Sequence, residues 1–327
     1  MRIHRTFSFD TALLAGSPRP TQTAPSPLES KPAESKPTRF IRVLLAIAVL
    51  VAATHVPDSA VAASRGKVLV ILSSADIVDL REGKTYHAGY YLDELEVPLR
   101  KMVDAGYEPV IANPNGNAVT YDPASANKMY YGNDEAKLSA AIKYMDRVDG
   151  VHHPKTLSQV LREGTSSYVG IFIPGGYAPM QDLISNKTLG DILLTFHANG
   201  RPTGLICHGP ATLVSTVSDP VAFRDALAAG DWQKARTLAA NWPYAGYRMT
   251  VITISEEHVV EGMQLGGKVL IYPGDALAQA GAHVDSVAIF ASSVVEDREV
   301  VSGQQPFSAE ALGDAFVAKL NAATHPN

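Results

Sequence analysis

Gly204-Leu205-Ile206-Cys207-His208-Gly209-Pro210-Ala211 holds the single cysteine of a 327-residue chain, and its reading decides the fold. Before the cysteine, Arg201-Pro202-Thr203-Gly204-Leu205-Ile206 reads as a short buried strand; after it, Pro210-Ala211-Thr212-Leu213-Val214 reads as the first turn of a helix. Cys207 therefore falls on a strand-to-helix elbow, which lifts a side chain off the end of a sheet while small neighbours let other backbone approach. The positive end of the helix favours thiolate over thiol, so the sequence predicts a nucleophile whose alkylation stays fast below neutral pH. The competing reading is a buried structural cysteine, because free cysteine is among the most buried residue types. The elbow, with His208 and Gly209 beside it, favours the nucleophile.

Working outward, Tyr168 to Pro174 is a strand broken by Gly175-Gly176, a pair that lets backbone N–H groups turn toward a ligand. Asp182 to Asn199 has the apolar spacing of a crossover helix leading into the elbow strand. Earlier, the aliphatic run Lys67 to Ser74 predicts a strand buried on both faces, and Glu108 to Pro114 a second strand. Between them Leu92, Leu95, Leu99, Met102 and Val103 recur at helical spacing up to Gly106. Pro98 inside this pattern predicts a restart or a kink that leaves Glu94 in an irregular segment at the top of the sheet. Residues 121–165 and 219–245 read as helical insertions, the first outside the core repeat and the second, ending near Trp242-Pro243-Tyr244, as a cover over one edge of the site. Then come a strand from Arg248 to Ile254 followed by Ser255-Glu256-Glu257-His258, a helix from Gly274 to Ala280, a hairpin-like pair (Val284 to Ala291, Val294 to Val301) and a last helix from Ala309 to Leu320. Alternating strands and helices without an internal repeat predict one α/β domain over 64–327, a parallel sheet covered by helices on both faces.

The composition, 46% hydrophobic and 19% charged, is that of a globular protein, and a net charge of -5 without a basic face excludes electrostatic nucleic-acid binding. One cysteine cannot make an internal disulfide. Residues 1–38 form a Pro/Ser-rich extension expected to be disordered. In 39–63, Arg39 and Arg42 precede the apolar run Val43 to Ala53, and Ser59-Ala60-Val61-Ala62-Ala63-Ser64 offers a cleavage site. This order predicts export to the periplasm or medium, a cytoplasmic protein with an apolar tail being the alternative. The run is shorter than the ~20 residues of a spanning helix, so no stable membrane anchor is expected after processing. The leader ahead of it is longer than such signals carry, which leaves either a start near Thr38 or Arg39 or a genuine extension.

Ile173-Pro174-Gly175-Gly176, Ile206-Cys207-His208-Gly209-Pro210 and Gly303-Gln304-Gln305-Pro306 together resemble the ThiJ/PfpI superfamily over about Lys67 to Leu320. The resemblance implies a flavodoxin-like sheet of the class I glutamine amidotransferase type, with Cys207 on its nucleophile elbow. The segment Gly89-Tyr90-Tyr91-Leu92-Asp93-Glu94-Leu95-Glu96-Val97-Pro98 is similar to the branch holding heat-shock chaperones and glyoxalase III, where a glutamate four residues before the proline sits beside the cysteine. That position is Glu94 here. The branch also implies an acidic residue after the strand that follows the elbow region, which falls on Glu257 with Glu256 as neighbouring competitor. The implied roles are Cys207 as nucleophile, His208 as base, Glu257 as its orienter, Glu94 as proton donor and acceptor, the N–H groups of Gly176 and His208 as an oxyanion hole, and Gly175 and Tyr177 as pocket residues. Branch members commonly carry histidine where this chain has Tyr177.

Each of these residues also has a plainer reading: Glu94 as a solvated helix residue, His208 as a backbone donor only, Glu256-Glu257 as a helix cap, Gly175-Gly176 as a turn, Trp242 to Tyr244 as packing. His152-His153 has no Cys or acidic partner at ligand spacing, so a surface loop is expected and no metal site. The activity implied by the resemblance is a glutathione-independent, glyoxalase III-like lyase reaction on a small reactive carbonyl, with no cofactor, no nucleic acid, and a homodimer allowed for. The alternatives are a stress-protective chaperone with a redox-sensing cysteine, or an amide or peptide hydrolase.

Overall fold

Val68 to Ile71 lack any turn former and carry branched or aliphatic side chains, and all four are buried on both faces as the middle of a central strand. The computed structural model describes residues 64–324; the extension at 1–38, the signal-like segment at 39–63 and residues 325–327 lie outside the described residues. In chain order the strands are β1 (Lys67–Ile71), β2 (Ile77–Asp79), β3 (Thr85–His87), β4 (Glu108–Asn113), β5 (Lys155–Thr156), β6 (Tyr168–Ile173), β7 (Thr203–Ile206), β8 (Arg248–Thr250), β9 (His283–Asp285), β10 (Val294–Asp297) and β11 (Val300–Gly303). Seven of them form one sheet, ordered β10-β11-β7-β6-β1-β4-β5, parallel throughout except for the antiparallel edge strand β10.

The chain steps from β1 to β4 toward one edge and from β6 to β7 toward the other. Right-handed crossovers in opposite directions place their helices, Leu92–Asp104 and Lys187–Ala198, on opposite faces of the sheet. The final helix, Ala309–Thr324, packs on Leu92–Asp104. Because the winding reverses between β1 and β6, a crevice opens at the carboxyl ends of the central strands, the usual ligand position in such sheets.

Four details differ from the sequence reading. The helix Leu92–Asp104 runs unbroken through Pro98, so Glu94 lies in its first turn and not in an irregular segment. A mid-helix proline costs roughly 3 kcal/mol, but Leu92, Leu95, Leu99 and Met102 are fully buried on this helix, at about 1.5–3 kcal/mol each. Pro98 itself rests against Gly313 of the final helix. Residues 121–165 are more than an insertion, since β5 extends the main sheet beside β4. Residues 219–245 do not cover the site: Trp242 donates its indole N–H to Leu213 and Thr216 behind the elbow, and Tyr244 is buried with it. Finally, the hairpin pairs β10 with β11, whereas β9 pairs in parallel with the short β8 in a separate two-stranded sheet. Asp297 and Val300 close that hairpin through the left-handed Arg298, a turn chemistry that the alternation of apolar residues did not disclose.

Candidate active site

β7 delivers Cys207 at its carboxyl end with φ +58, a left-handed conformation that costs a non-glycine residue on the order of 1–2 kcal/mol. The strain has a geometric result. Adjacent side chains ordinarily diverge, but this turn brings His208 Nδ1 within 3.2 Å of Cys207 Sγ. On its far side His208 Nε2 lies 2.8 Å from Glu257 Oε1, at ion-pair distance and off the line of a straight hydrogen bond. The other carboxylate oxygen of Glu257 accepts a 2.7 Å hydrogen bond from the Tyr177 hydroxyl, and the Tyr177 ring packs on the His208 ring at 4.4 Å between centroids. The structure thus brings Cys207, His208 and Glu257 into one row. All three are buried.

Glu256 points elsewhere, for a reason its position makes plain. It is the N3 residue of a capping box: Thr253 caps the helix Ile254–Val260, and the Glu256 carboxylate accepts from the Thr253 N–H and hydroxyl. Its second oxygen accepts from Phe290 N–H and Gln304 Nε2, so this buried charge anchors the loop that ends at the cavity rim.

Glu94 reaches the cysteine from the opposite side. Its Oε2 accepts the Gly175 N–H at 3.0 Å, and its Oε1 has no hydrogen-bond partner among the described residues. Burial pushes its carboxyl up to about 8, with Cys207 and the Gly175 N–H pulling the other way and the charge of Asp122 adding to the rise. Glu94 is accordingly protonated at neutral pH. Gly175 was expected to line the pocket, but it is a spacer: a Cβ there would fall 2.6 Å from both Cys207 Cβ and Glu94 Oε2. Gly175→Ala should therefore lower stability by roughly 1–3 kcal/mol and slow alkylation of Cys207, which denaturant unfolding and a timed iodoacetamide reaction would measure. An unchanged midpoint and rate would show that the two reacting groups are not in fact wedged apart by this backbone. Gly176 takes φ +90 with no room for a side chain, since Gly89 O would sit 2.3 Å from a Cβ. Its N–H pulls the Cys207 thiol downward from its ordinary value.

The thiol departs from the sequence expectation. Burial pushes Cys207 well up, the neighbouring acidic groups Glu94 and Glu257 add to this, and only the Gly176 N–H opposes them. The segment after the elbow, Gly209–Thr216, is a 3-10 helix and not the α-helical turn expected from the sequence. We expect alkylation of Cys207 to climb about tenfold per pH unit from pH 6 to pH 8, contrary to the flat profile that the elbow alone suggested. A rate already level at pH 6 would refute the burial argument.

A cavity of about 40 Å³ opens onto these groups. Gly176, Tyr177, Cys207 and His208 form its floor, while Tyr91, Tyr130, Phe290 and Phe307 supply an aromatic wall. Tyr91 and Tyr130 share a 2.9 Å hydroxyl contact, and Tyr130 packs on Phe307. Gln264 also lines it, from the π-helical turn Glu261–Leu265, and donates to Tyr86, whose hydroxyl is held by buried Asp122. Sequence reasoning named Tyr91 only within a motif and missed the other wall residues. Their one local signal is aromaticity, which buried packing residues share.

The profile of the DJ-1/PfpI family matches residues 87–218, a span that contains Glu94, Gly175, Gly176, Cys207 and His208. That span carries the match to the superfamily the sequence resembles. The chain is 25% identical over 259 residues to the protein/nucleic acid deglycase HchA of Staphylococcus aureus, covering 78% of this chain and 80% of that protein. Two solved structures share its fold. Rapid encystment protein 24 kDa of Francisella tularensis superposes with a TM-score of 0.59 at 23% identity, over 78% of this chain and 99% of its own. Glyoxalase III of Candida albicans gives 0.53 at 19%, over 79% and 98%. Within the superfamily branch that the sequence resembles, Tyr177 replaces a common histidine, and its hydroxyl is engaged with Glu257 instead of facing the cavity.

Proposed function

We propose that this protein is a cysteine-dependent enzyme that converts a small 2-oxoaldehyde to the corresponding 2-hydroxy acid without glutathione. The observation that carries the reading is the placement of Cys207 between two proton-transfer groups, His208 at 3.2 Å and the raised carboxyl of Glu94, at the floor of a small aromatic cavity. In this scheme Sγ bonds to the aldehyde carbon, and the thiol proton passes through His208 to the carbonyl oxygen, giving a hemithioacetal. Glu94, ionised in the reacting fraction, takes the proton from that carbon and returns it to the neighbouring carbon while the hemithioacetal hydroxyl proton passes to the neighbouring carbonyl oxygen, so a ketone becomes an alcohol and the hemithioacetal becomes a thioester. Water then cleaves the thioester, releasing the hydroxy acid and regenerating the thiol. Atoms and electrons balance with water as the only co-reactant. A carboxyl titrating near the working pH suits a group that must both accept and give a proton. Gly176 N–H is suited to stabilise the developing oxyanion.

The relative named as a deglycase supports a second reading, removal of the same carbonyls from amino groups, which begins with equivalent attack by a thiol. Incubating the protein from Ser64 onward with methylglyoxal, and separately with a peptide glycated by it, decides between them. Formation of lactate from the free aldehyde without glutathione supports the first reading. Release from the peptide alone supports the second, and no consumption of either overturns both.

A further inference from the structure

The buried hydroxyl of Tyr177 takes no part in the scheme above, yet it is gripped at both ends. Its ring lies on His208 and its hydroxyl holds the Glu257 oxygen that does not face the histidine. The Glu257 carboxylate meets His208 at short distance but poor alignment, so that contact alone does not set the rotation of the carboxyl group. Its other oxygen is held only by Tyr177 among the hydrogen bonds of the described residues. Tyr177 in turn is well anchored. It follows the constrained Gly176, packs with Val78, Leu80, Ala88 and Val269 in a second apolar cluster, and meets the Tyr86 ring edge-on at 6.0 Å.

We propose that Tyr177 is a positioning residue that fixes the Glu257 carboxylate, and through it the His208 ring, in the orientation that takes the proton from Cys207. The inference rests on the reading of Cys207 as nucleophile but not on the identity of the carbonyl. It replaces the expectation that Tyr177 contacts substrate at the cavity lip. Burial and the neighbouring Glu257 charge also push the phenol well above its ordinary value, so the hydroxyl remains a donor across the working range.

A double-mutant cycle tests this, using Tyr177→Phe, Glu257→Gln and the pair, with Cys207 alkylation by iodoacetamide and methylglyoxal turnover as separate readouts. Tyr177→Phe keeps the stacked ring and removes one hydrogen bond to a charged group, so alkylation at pH 7 should fall about tenfold with KM unchanged and the thermal midpoint close to that of the parent. In the Glu257→Gln background the same substitution should change alkylation less than about twofold, because its route of action is already gone. Independent, multiplicative losses would overturn the proposal, as would a raised KM with alkylation unaffected, the mark of a substrate contact. If the parent protein does not consume methylglyoxal, the proposed reaction fails while the alkylation cycle still decides the role of Tyr177.

Discussion

Cys207→Ala is expected to lower kcat/KM for 2-oxoaldehyde consumption on the order of 10⁴-fold or more, because the proposed covalent bond forms on its sulfur. Loss of substrate and appearance of hydroxy acid would be followed with both proteins at equal concentration. Residual turnover within tenfold of the parent would mean that the chemistry does not pass through this sulfur. The same position carries a stability signature. Cys207→Ala keeps a Cβ at φ +58, so the strain persists. Cys207→Gly relieves about 1–2 kcal/mol of it and loses roughly 0.5–1 kcal/mol to the freedom of glycine in the unfolded chain. The glycine variant should therefore unfold at the same or higher denaturant concentration than the alanine variant. A backbone held in this conformation for an inert buried thiol would have no compensation, whereas here it aligns Sγ with His208.

Glu94→Gln should be the second most damaging change, lowering kcat by about 10²–10⁴-fold while leaving the protein folded. The amide keeps an acceptor for the Gly175 N–H but cannot move a proton between two carbons. Stability should respond in the opposite sense above neutrality. With its carboxyl raised to about 8 in the folded state, Glu94 holds its proton where the unfolded chain has released it. Its favourable contribution is complete below the ordinary carboxyl range, declines as pH rises past that range, and is gone above about pH 8. The parent should lose denaturant stability between pH 5 and pH 8 more steeply than the Glu94→Gln variant, and parallel profiles would contradict the buried, protonated carboxyl.

The elbow, the two glycines and the continuous aliphatic strand were legible because each is a local signal: strand period, a break, a small residue where backbone must approach. Glu94 and Glu257 were reachable only through the resemblance, since an acidic residue in a first helical turn has the same local pattern whether it faces solvent or a thiol. Choosing Glu257 over Glu256 needed the observed cap, in which Thr253 claims the latter.

The sequence by itself therefore determined the α/β class and the elbow that carries Cys207, because the order of buried strands and crossover helices allows few right-handed arrangements. Tertiary structure alone decided that Pro98 stays within a helix, where buried contacts outweigh one lost hydrogen bond. It also decided that the cavity wall comes from Tyr130, Gln264, Phe290 and Phe307, residues scattered over more than half the chain. The ionisation of Cys207 belongs to the same category. A helix terminus can be read from neighbouring residues, but the desolvation and the two carboxyl groups that oppose it come from segments more than 40 residues away on either side, and only folding brings them within reach of the sulfur.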